Sequence, residues 1–85
     1  MATKNAGFDA AGERECLAHA LAAFKVAGWT YTNQMTGDPI VRANAQTAWY
    51  HRRVERLAKA CALPINRVRA DLERDAEVIL AGDEF

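Results

Sequence analysis

The feature that most constrains the fold is a proline that separates two helical patterns. No glycine or proline occurs between Pro39 and Pro64, and apolar or small residues recur there at spacings of three and four. The positions on this stripe are Ala43, Thr47, Tyr50, Val54, Leu57 and Cys61. Proline disfavours helical geometry at the residue before it, so the helix is expected to end at Leu63. The pattern predicts one long central helix from about Pro39 to about Ala62.

A third helix is predicted after the break. It starts near Pro64 and stops at Gly82, since glycine commonly follows the last turn of a helix. Its apolar face comprises Ile65, Val68, Leu72, Ala76 and Ile79. The regular spacing of these residues indicates a face that packs against the rest of the domain.

The N-terminal half predicts the first helix. Asp9 is expected to cap its start, and Gly28 fits its C-terminal cap with Trp29 as the adjoining hydrophobic contact. Its apolar stripe comprises Leu17, Ala20, Leu21 and Phe24. Residues 1–8 are small and polar and are expected to form a loose arm.

Residues 30–39 have the composition of a loop, and Asp38-Pro39 is expected to start the central helix. Three helices with short connections and no strand signal predict an all-α fold, a small three-helix domain with one long central helix. The 85 residues form a single domain. Because the core of so short a chain is marginal, a homodimer or a partner is expected to add burial.

Charge is unevenly distributed although the formal net charge is zero. The middle of the chain is basic, with Arg42, Arg52, Arg53, Arg56, Lys59, Arg67 and Arg69. The C-terminal part is acidic, with Asp71, Glu73, Asp75, Glu77, Asp83 and Glu84. This asymmetry indicates either a charged partner or internal pairing between the two regions. Arg67 with Asp71 and Arg69 with Glu73 are four residues apart and are candidate pairs on one helix.

Residues Leu57 to Leu72, LAKACALPINRVRADL, resemble the helix-turn-helix motif of bacterial and phage DNA-binding proteins. Ala58 occupies the position where that motif has a small residue, and Leu63 its buried turn position. Val68 and Leu72 occupy buried positions of its second helix. Ala62 stands where the motif usually has a glycine in left-handed geometry. The resemblance covers about a fifth of the chain.

The resemblance implies a small regulatory DNA-binding protein that acts as a homodimer on double-stranded DNA. Pro64 to Glu73 would be the recognition helix, whose N-terminal end meets base edges or phosphates. The residues implied in nucleic-acid binding are Asn66, Arg67 and Arg69 on that helix and Arg52, Arg53, Arg56 and Lys59 before it. The second group would supply phosphate contacts, which make binding sensitive to salt.

A helical protein-interaction module without DNA affinity is the alternative hypothesis. Tryptophan and tyrosine are enriched at protein interfaces, and Trp49 and Tyr50 adjoin a run of basic residues. Tyr31 and Met35 mark a second candidate surface in the predicted loop. Small compact chains of this class include phage-type inhibitors, such as anti-CRISPR proteins, that dock on a host nucleic-acid machine.

Catalytic and metal-binding patterns are scarce in the sequence. There is no glycine-rich phosphate loop and no Gly-x-Ser-x-Gly turn, so we expect no enzymatic activity. Cys16 and His19, with His51 or Cys61, lack the spacing typical of structural zinc sites, so neither metal nor cofactor is expected. Both cysteines are predicted to be reduced and packed in the core. A single disulfide between Cys16 and Cys61 is the open alternative, and it requires that their Cα atoms lie close together.

The compartment is predicted from what the sequence lacks. No stretch has the length of apolar residues that a transmembrane helix needs, and no N-terminal signal pattern is found. We therefore expect a cytoplasmic protein.

Overall fold

The structure is a computed structural model that describes residues 8–37 and 39–82. Its elements in chain order are α1 (Ala10–Val26), β1 (Thr30–Thr32), β2 (Pro39–Val41), α2 (Ala48–Cys61) and α3 (Ile65–Leu80). The domain is mostly helical, as predicted, but it also contains a small two-stranded sheet. The all-α prediction is therefore corrected to a mostly-α fold.

The strands form an antiparallel hairpin within the segment predicted to be a loop. Thr30 lies opposite Val41, and Tyr31 lies opposite Ile40. Val41 is buried against the helices, whereas Tyr31 is exposed. With only three residues each, the strands are too short to show the alternation by which a strand is recognised in a sequence.

The central helix is shorter than predicted. Helix α2 begins at Ala48, because Pro39 belongs to β2 and Ala43 lies in the exposed connection that follows. The predicted cap at Asp38 lies outside the described residues.

A side-chain network at Thr47 turns the chain into α2. The Thr47 hydroxyl donates to the carbonyl oxygen of Arg42 over 2.6 Å and accepts from the N–H of Asn44 over 3.0 Å. The Asn44 carboxamide oxygen in turn accepts from the N–H groups of Gln46 and Thr47. These bonds satisfy backbone groups outside the helical ladder, so the turn replaces the helix predicted there.

Both predicted caps of α1 are confirmed. The Asp9 carboxylate accepts a hydrogen bond from the N–H of Gly12 over 3.1 Å. At the other end Gly28 adopts a φ of 78°, and the N–H of Trp29 donates to the carbonyl oxygen of Phe24 over 2.9 Å. The Phe24 and Trp29 rings pack with their centroids 5.2 Å apart, which fixes the exit of the chain toward the hairpin.

The core lies between the three helices and is closed at one end by β2. Helix α1 packs more extensively on α3 than on α2. The buried apolar residues are Leu17, Ala18, Leu21, Ala22, Phe24, Val41, Tyr50, Val54, Leu57, Ala58, Val68, Leu72 and Ala76. Phe8, placed by the sequence in a loose arm, is half-buried against this core, and the rest of that arm lies outside the described residues.

The break between α2 and α3 uses a left-handed alanine. Ala62 has a φ of 56° and is the one non-glycine residue with a positive φ among the described residues. The N–H of Leu63 donates to the carbonyl oxygen of Ala58 over 3.0 Å, which closes the last turn of α2. Pro64 is extended and precedes α3. An L-residue in this conformation is strained because its Cβ approaches the following carbonyl oxygen.

Replacing Ala62 with glycine is expected to raise the free energy of unfolding by about 0.5 to 1 kcal/mol. Glycine removes the steric strain at the positive φ, and the added freedom of the unfolded chain offsets part of that gain. Urea unfolding followed by circular dichroism measures the change. The matched control is Ala70→Gly in the exposed interior of α3, which should lower the same quantity by about 1 kcal/mol. Equal destabilisation by both substitutions would contradict the argument.

None of the helices in the part of the chain that the structure describes is long and apolar enough to cross a membrane.

Candidate functional site

The carboxylates of α3 are each held by a basic side chain. Arg14 on α1 donates to Asp75 over 2.6 and 3.2 Å. Lys25, also on α1, lies 2.8 Å from Glu73 and 3.3 Å from Glu77. The Glu73 oxygen in the shorter contact is Oε1, a buried atom whose partner is the Lys25 ammonium. Two cations of α1, Arg14 and Lys25, therefore pair with three carboxylates of α3.

Asp71 is neutralised within α3 itself. Arg67 lies 3.6 Å from it, which confirms the pair predicted from their spacing, and Arg74 donates a hydrogen bond to the same carboxylate. The other predicted pair, Arg69 with Glu73, does not form, because Glu73 is bound by Lys25. Arg69 has no carboxylate partner among the described residues.

Arg53, a predicted phosphate contact, binds to other side chains of the same chain instead. Its guanidinium donates to both oxygens of Glu13 over 2.7 Å and contacts Cys16 Sγ at 3.7 Å. It also lies over the ring of Trp49, 5.7 Å from the centroid. The hydrogen bond from Arg53 lowers the pKa of Glu13 below its ordinary value. These contacts make Arg53 a link between α1 and α2.

The other three basic residues predicted on α2 form an exposed stripe. Arg52, Arg56 and Lys59 are spaced so that they share one side of the helix, opposite the buried Val54, Leu57 and Ala58. We call them the α2 basic stripe. None forms a salt bridge with a carboxylate of the described residues, although the charge of Arg56 contributes to the lowered pKa of Glu13. The Arg56 guanidinium lies 4.9 Å from the ring centroid of Phe8.

The residues of the helix-turn-helix resemblance differ in their burial. Ala58, Val68 and Leu72 are buried, and Ala62 has the left-handed conformation. Leu63 differs, since its relative accessibility is 37% although the motif predicts burial. Asn66, Arg67 and Arg69 are exposed on the first two turns of α3.

A groove of about 720 Å³ separates the hairpin from α3. We call it the hairpin groove. Its apolar lining includes Pro39, Ile40, Val41, Tyr50 and Ala70. Its polar lining includes Asn33, Thr36, His51, Asn66, Arg69, Glu73, Arg74 and Glu77. The sequence analysis did not find this groove, because one of its walls is the unpredicted hairpin.

His51 in this groove combines a buried ring nitrogen with a lowered pKa. Its Nε2 atom is buried without a hydrogen-bond partner among the described residues. Burial, and then the positive charge of Arg69, lower the pKa of His51 below its ordinary value of about 6.5, whereas Glu55 acts in the opposite direction. The imidazole is therefore neutral at physiological pH.

The Arg69→Gln variant is expected to raise the pKa of His51, because it removes a positive charge that disfavours the imidazolium. Glu55→Gln should lower it further, because it removes a negative charge that favours the imidazolium. An NMR titration of the His51 ring protons measures both directions. Shifts of the same sign in both variants would refute this electrostatic account.

The depressed pKa of His51 also makes the free energy of unfolding depend on pH. It should fall as the pH drops below about 6.5, the pKa of histidine in the unfolded chain, because the unfolded chain then binds the proton more readily than the folded one.

The candidate protein-interface residues occupy different environments. Met35 at the hairpin tip has a relative accessibility of 93%, and Tyr31 one of 49%. Trp49 is half-buried against the core. Tyr50 has a relative accessibility of only 4% and packs edge-on against Phe24 at 5.4 Å, so it is corrected from a surface anchor to a core residue.

The burial of both cysteines differs from the prediction, whereas their free state agrees with it. Cys16 and Cys61 are free thiols with exposed side chains rather than buried core residues. Cys16 projects beside Arg53, away from the apolar stripe of α1. Among the described residues, no group of three or more histidine, cysteine or acidic side chains is placed to hold a metal ion.

Comparisons with known proteins give no relative for this chain. No protein-family model, no curated protein and no solved structure matches it.

Proposed function

We propose that this chain is a small DNA-binding domain that contacts the phosphate backbone through the α2 basic stripe. The observation that carries the proposal is a separation of charge. Every carboxylate of α3 within the described residues is paired with a cation, while Arg52, Arg56 and Lys59 remain exposed and without a carboxylate partner. The exposed Glu55 lies on the same side of α2, so three cations and one carboxylate leave this helix face positive in a chain with zero formal net charge.

The geometry of the α2–α3 pair supports a helix-turn-helix mode. The left-handed Ala62 brings α3 into position after a tight break, and Asn66 and Arg67 are exposed on its first turn. In this mode α3 enters the major groove while α2 lies across the backbone. The proposed binding form is a homodimer, in which each of two copies binds one of two adjacent half-sites.

The triple variant Arg52→Gln, Arg56→Gln, Lys59→Gln is expected to weaken binding to a mixed-sequence duplex at least about tenfold at physiological salt. Loss of three phosphate contacts should also reduce the slope of log K against log salt by about 3. Fluorescence anisotropy over a salt series measures both quantities. Circular dichroism of the variant establishes that the fold is retained.

Two controls separate phosphate contacts from net charge. The charge-preserving triple variant Arg52→Lys, Arg56→Lys, Lys59→Arg should keep most of the affinity, because phosphate contacts require positive charge above all. The second control is the triple variant Ala23→Glu, Thr32→Glu, Gln34→Glu, whose substitutions lie at exposed sites outside the stripe and lower the net charge by the same amount. It should bind the duplex more tightly than the variant with the neutralised α2 basic stripe. Wild-type protein that fails to bind duplex DNA even at low salt would refute the proposal.

A protein-interaction module of the inhibitor type is the second candidate, and the hairpin is the observation that favours it. Met35 and Tyr31 are large, apolar and exposed at or near its tip. Such side chains anchor protein interfaces. In this case the double variant Met35→Ser, Tyr31→Ser should lose a protein partner that the neutralised α2 basic stripe retains. Pull-down with the two variants side by side discriminates the candidates.

A further inference from the structure

The hairpin groove has the dimensions of a small-molecule site. Its volume of about 720 Å³ falls within the range of roughly 300 to 1,000 Å³ that is typical of ligand pockets. Such sites combine an apolar lining with a few polar groups that fix the orientation of the ligand.

The apolar part of the groove is firmly supported. Val41 and Tyr50 belong to the buried core, and Tyr50 packs against Phe24 and Trp49. Ile40 and Pro39 on β2 extend this lining along the hairpin. A ligand's apolar body would meet a preformed surface here, and its binding requires little reorganisation of the protein.

One cation of the groove lacks an ion-pair partner. Glu73 and Glu77 share the single charge of Lys25, and Arg74 is held by Asp71. Arg69 alone among the charged lining residues has no partner of opposite sign within the described residues. Since arginine presents a planar fork of donors that matches a carboxylate, the groove favours one anionic group at Arg69.

His51 is a second polar lining residue of the groove. Its Nε2 is buried and has no partner among the described residues, so a ligand reaches this atom only when the side chains that cover it move. Because the imidazole is neutral at physiological pH, it offers a hydrogen bond without adding charge, and the recognition of charge belongs to Arg69.

We propose that the hairpin groove binds a small organic monoanion, an acid with an apolar body. Its anionic group pairs with Arg69, its oxygen or neighbouring polar atom meets His51, and its apolar body lies on Ile40, Val41 and Tyr50. This site is distinct from the α2 basic stripe and does not depend on the DNA-binding proposal.

The test is a set of NMR titrations of the isotope-labelled full chain at neutral pH. The probes are phenylacetate, its neutral analogue phenylacetamide, and inorganic phosphate as an anion without an apolar body. Phenylacetate is expected to shift the His51 ring signals and the Ile40 and Val41 amides saturably, with a Kd of about 1 mM for a probe of this size. Phenylacetamide and phosphate are expected to bind at least about tenfold more weakly.

Two arginine variants locate the anion. Arg69→Gln should weaken phenylacetate binding about tenfold, because it removes the charge-assisted contact. Arg52→Gln removes an exposed arginine from the α2 basic stripe and should leave the binding unchanged. A well-dispersed amide spectrum shows that each variant is folded. The proposal is overturned if phenylacetate causes no saturable shift, if either other probe binds as well, or if the two variants behave alike.

Discussion

Replacing Leu72 with alanine is expected to lower the free energy of unfolding by about 2 to 5 kcal/mol. Leu72 has a relative accessibility of 0% and lies in the buried row of α3 with Val68 and Ala76. Its side chain fills the space between the helices, so truncation removes apolar contacts and leaves a cavity that the core closes only in part. Urea unfolding measured by circular dichroism gives the loss as a lower midpoint at an unchanged slope.

The effect is large for a domain of this size, whose total stability is expected to be about 4 to 13 kcal/mol. The control is Leu80→Ala, the same substitution on the same helix at a side chain with a relative accessibility of 42%. It should cost less than about 1 kcal/mol. If the two variants lost stability equally, the burial of Leu72 would not be the cause.

Replacing Thr47 with valine is expected to lower the free energy of unfolding by about 2 to 4 kcal/mol, because two backbone groups lose their hydrogen-bond partner. Valine preserves the shape but removes a hydroxyl that bonds to the carbonyl oxygen of Arg42 and the N–H of Asn44. Because Thr47 is fully buried, water replaces these bonds poorly. Urea unfolding measures the loss, and amide hydrogen exchange at the start of α2 should accelerate.

Two threonine variants test the role of the hydroxyl. Thr47→Ser keeps the hydroxyl and loses only a methyl group, so its loss should be about 1 kcal/mol. Thr32→Val makes the same chemical change at an exposed position of β1 and should stay within about 0.5 kcal/mol of the wild type. A loss in Thr47→Ser as large as that in Thr47→Val would attribute the effect to packing instead.

Helical packing was the part of the fold that the sequence predicted well. Leu17, Leu21 and Phe24 on α1, with Val68 and Leu72 on α3, are all buried as their spacing indicated. Periodicity reports burial directly, because residues three and four apart share one face of a helix. The break at Pro64 was equally predictable, because it follows from the covalent geometry of proline.

The hairpin and the start of α2 could not be predicted in this way. The stripe from Ala43 to Cys61 continues the helical spacing, yet the chain before Ala48 is a strand and a turn. What decides this is the hydrogen bonding of the Thr47 and Asn44 side chains, which leaves no trace in an apolar pattern.

The candidate sites were only partly predictable for a related reason. The contact between Arg67 and Asp71 follows from their separation of four residues on one helix. The pairs of α1 with α3, and of Arg53 with Glu13, depend on how the helices pack and could not be read from spacing. As a result, the sequence assigned Arg53 to phosphate binding and did not find the hairpin groove.

The pairing of α1 with α3 also has a consequence for the rate at which the domain folds. The bond between Arg14 and Asp75 joins residues 61 positions apart, and α1 has its larger interface with α3 rather than with its neighbour α2. Before that interface gains any contact energy, the chain has to close a loop that contains the hairpin and all of α2. We therefore infer slower folding than that of helical bundles whose contacts are mostly local, with the closure of α1 onto α3 setting the barrier.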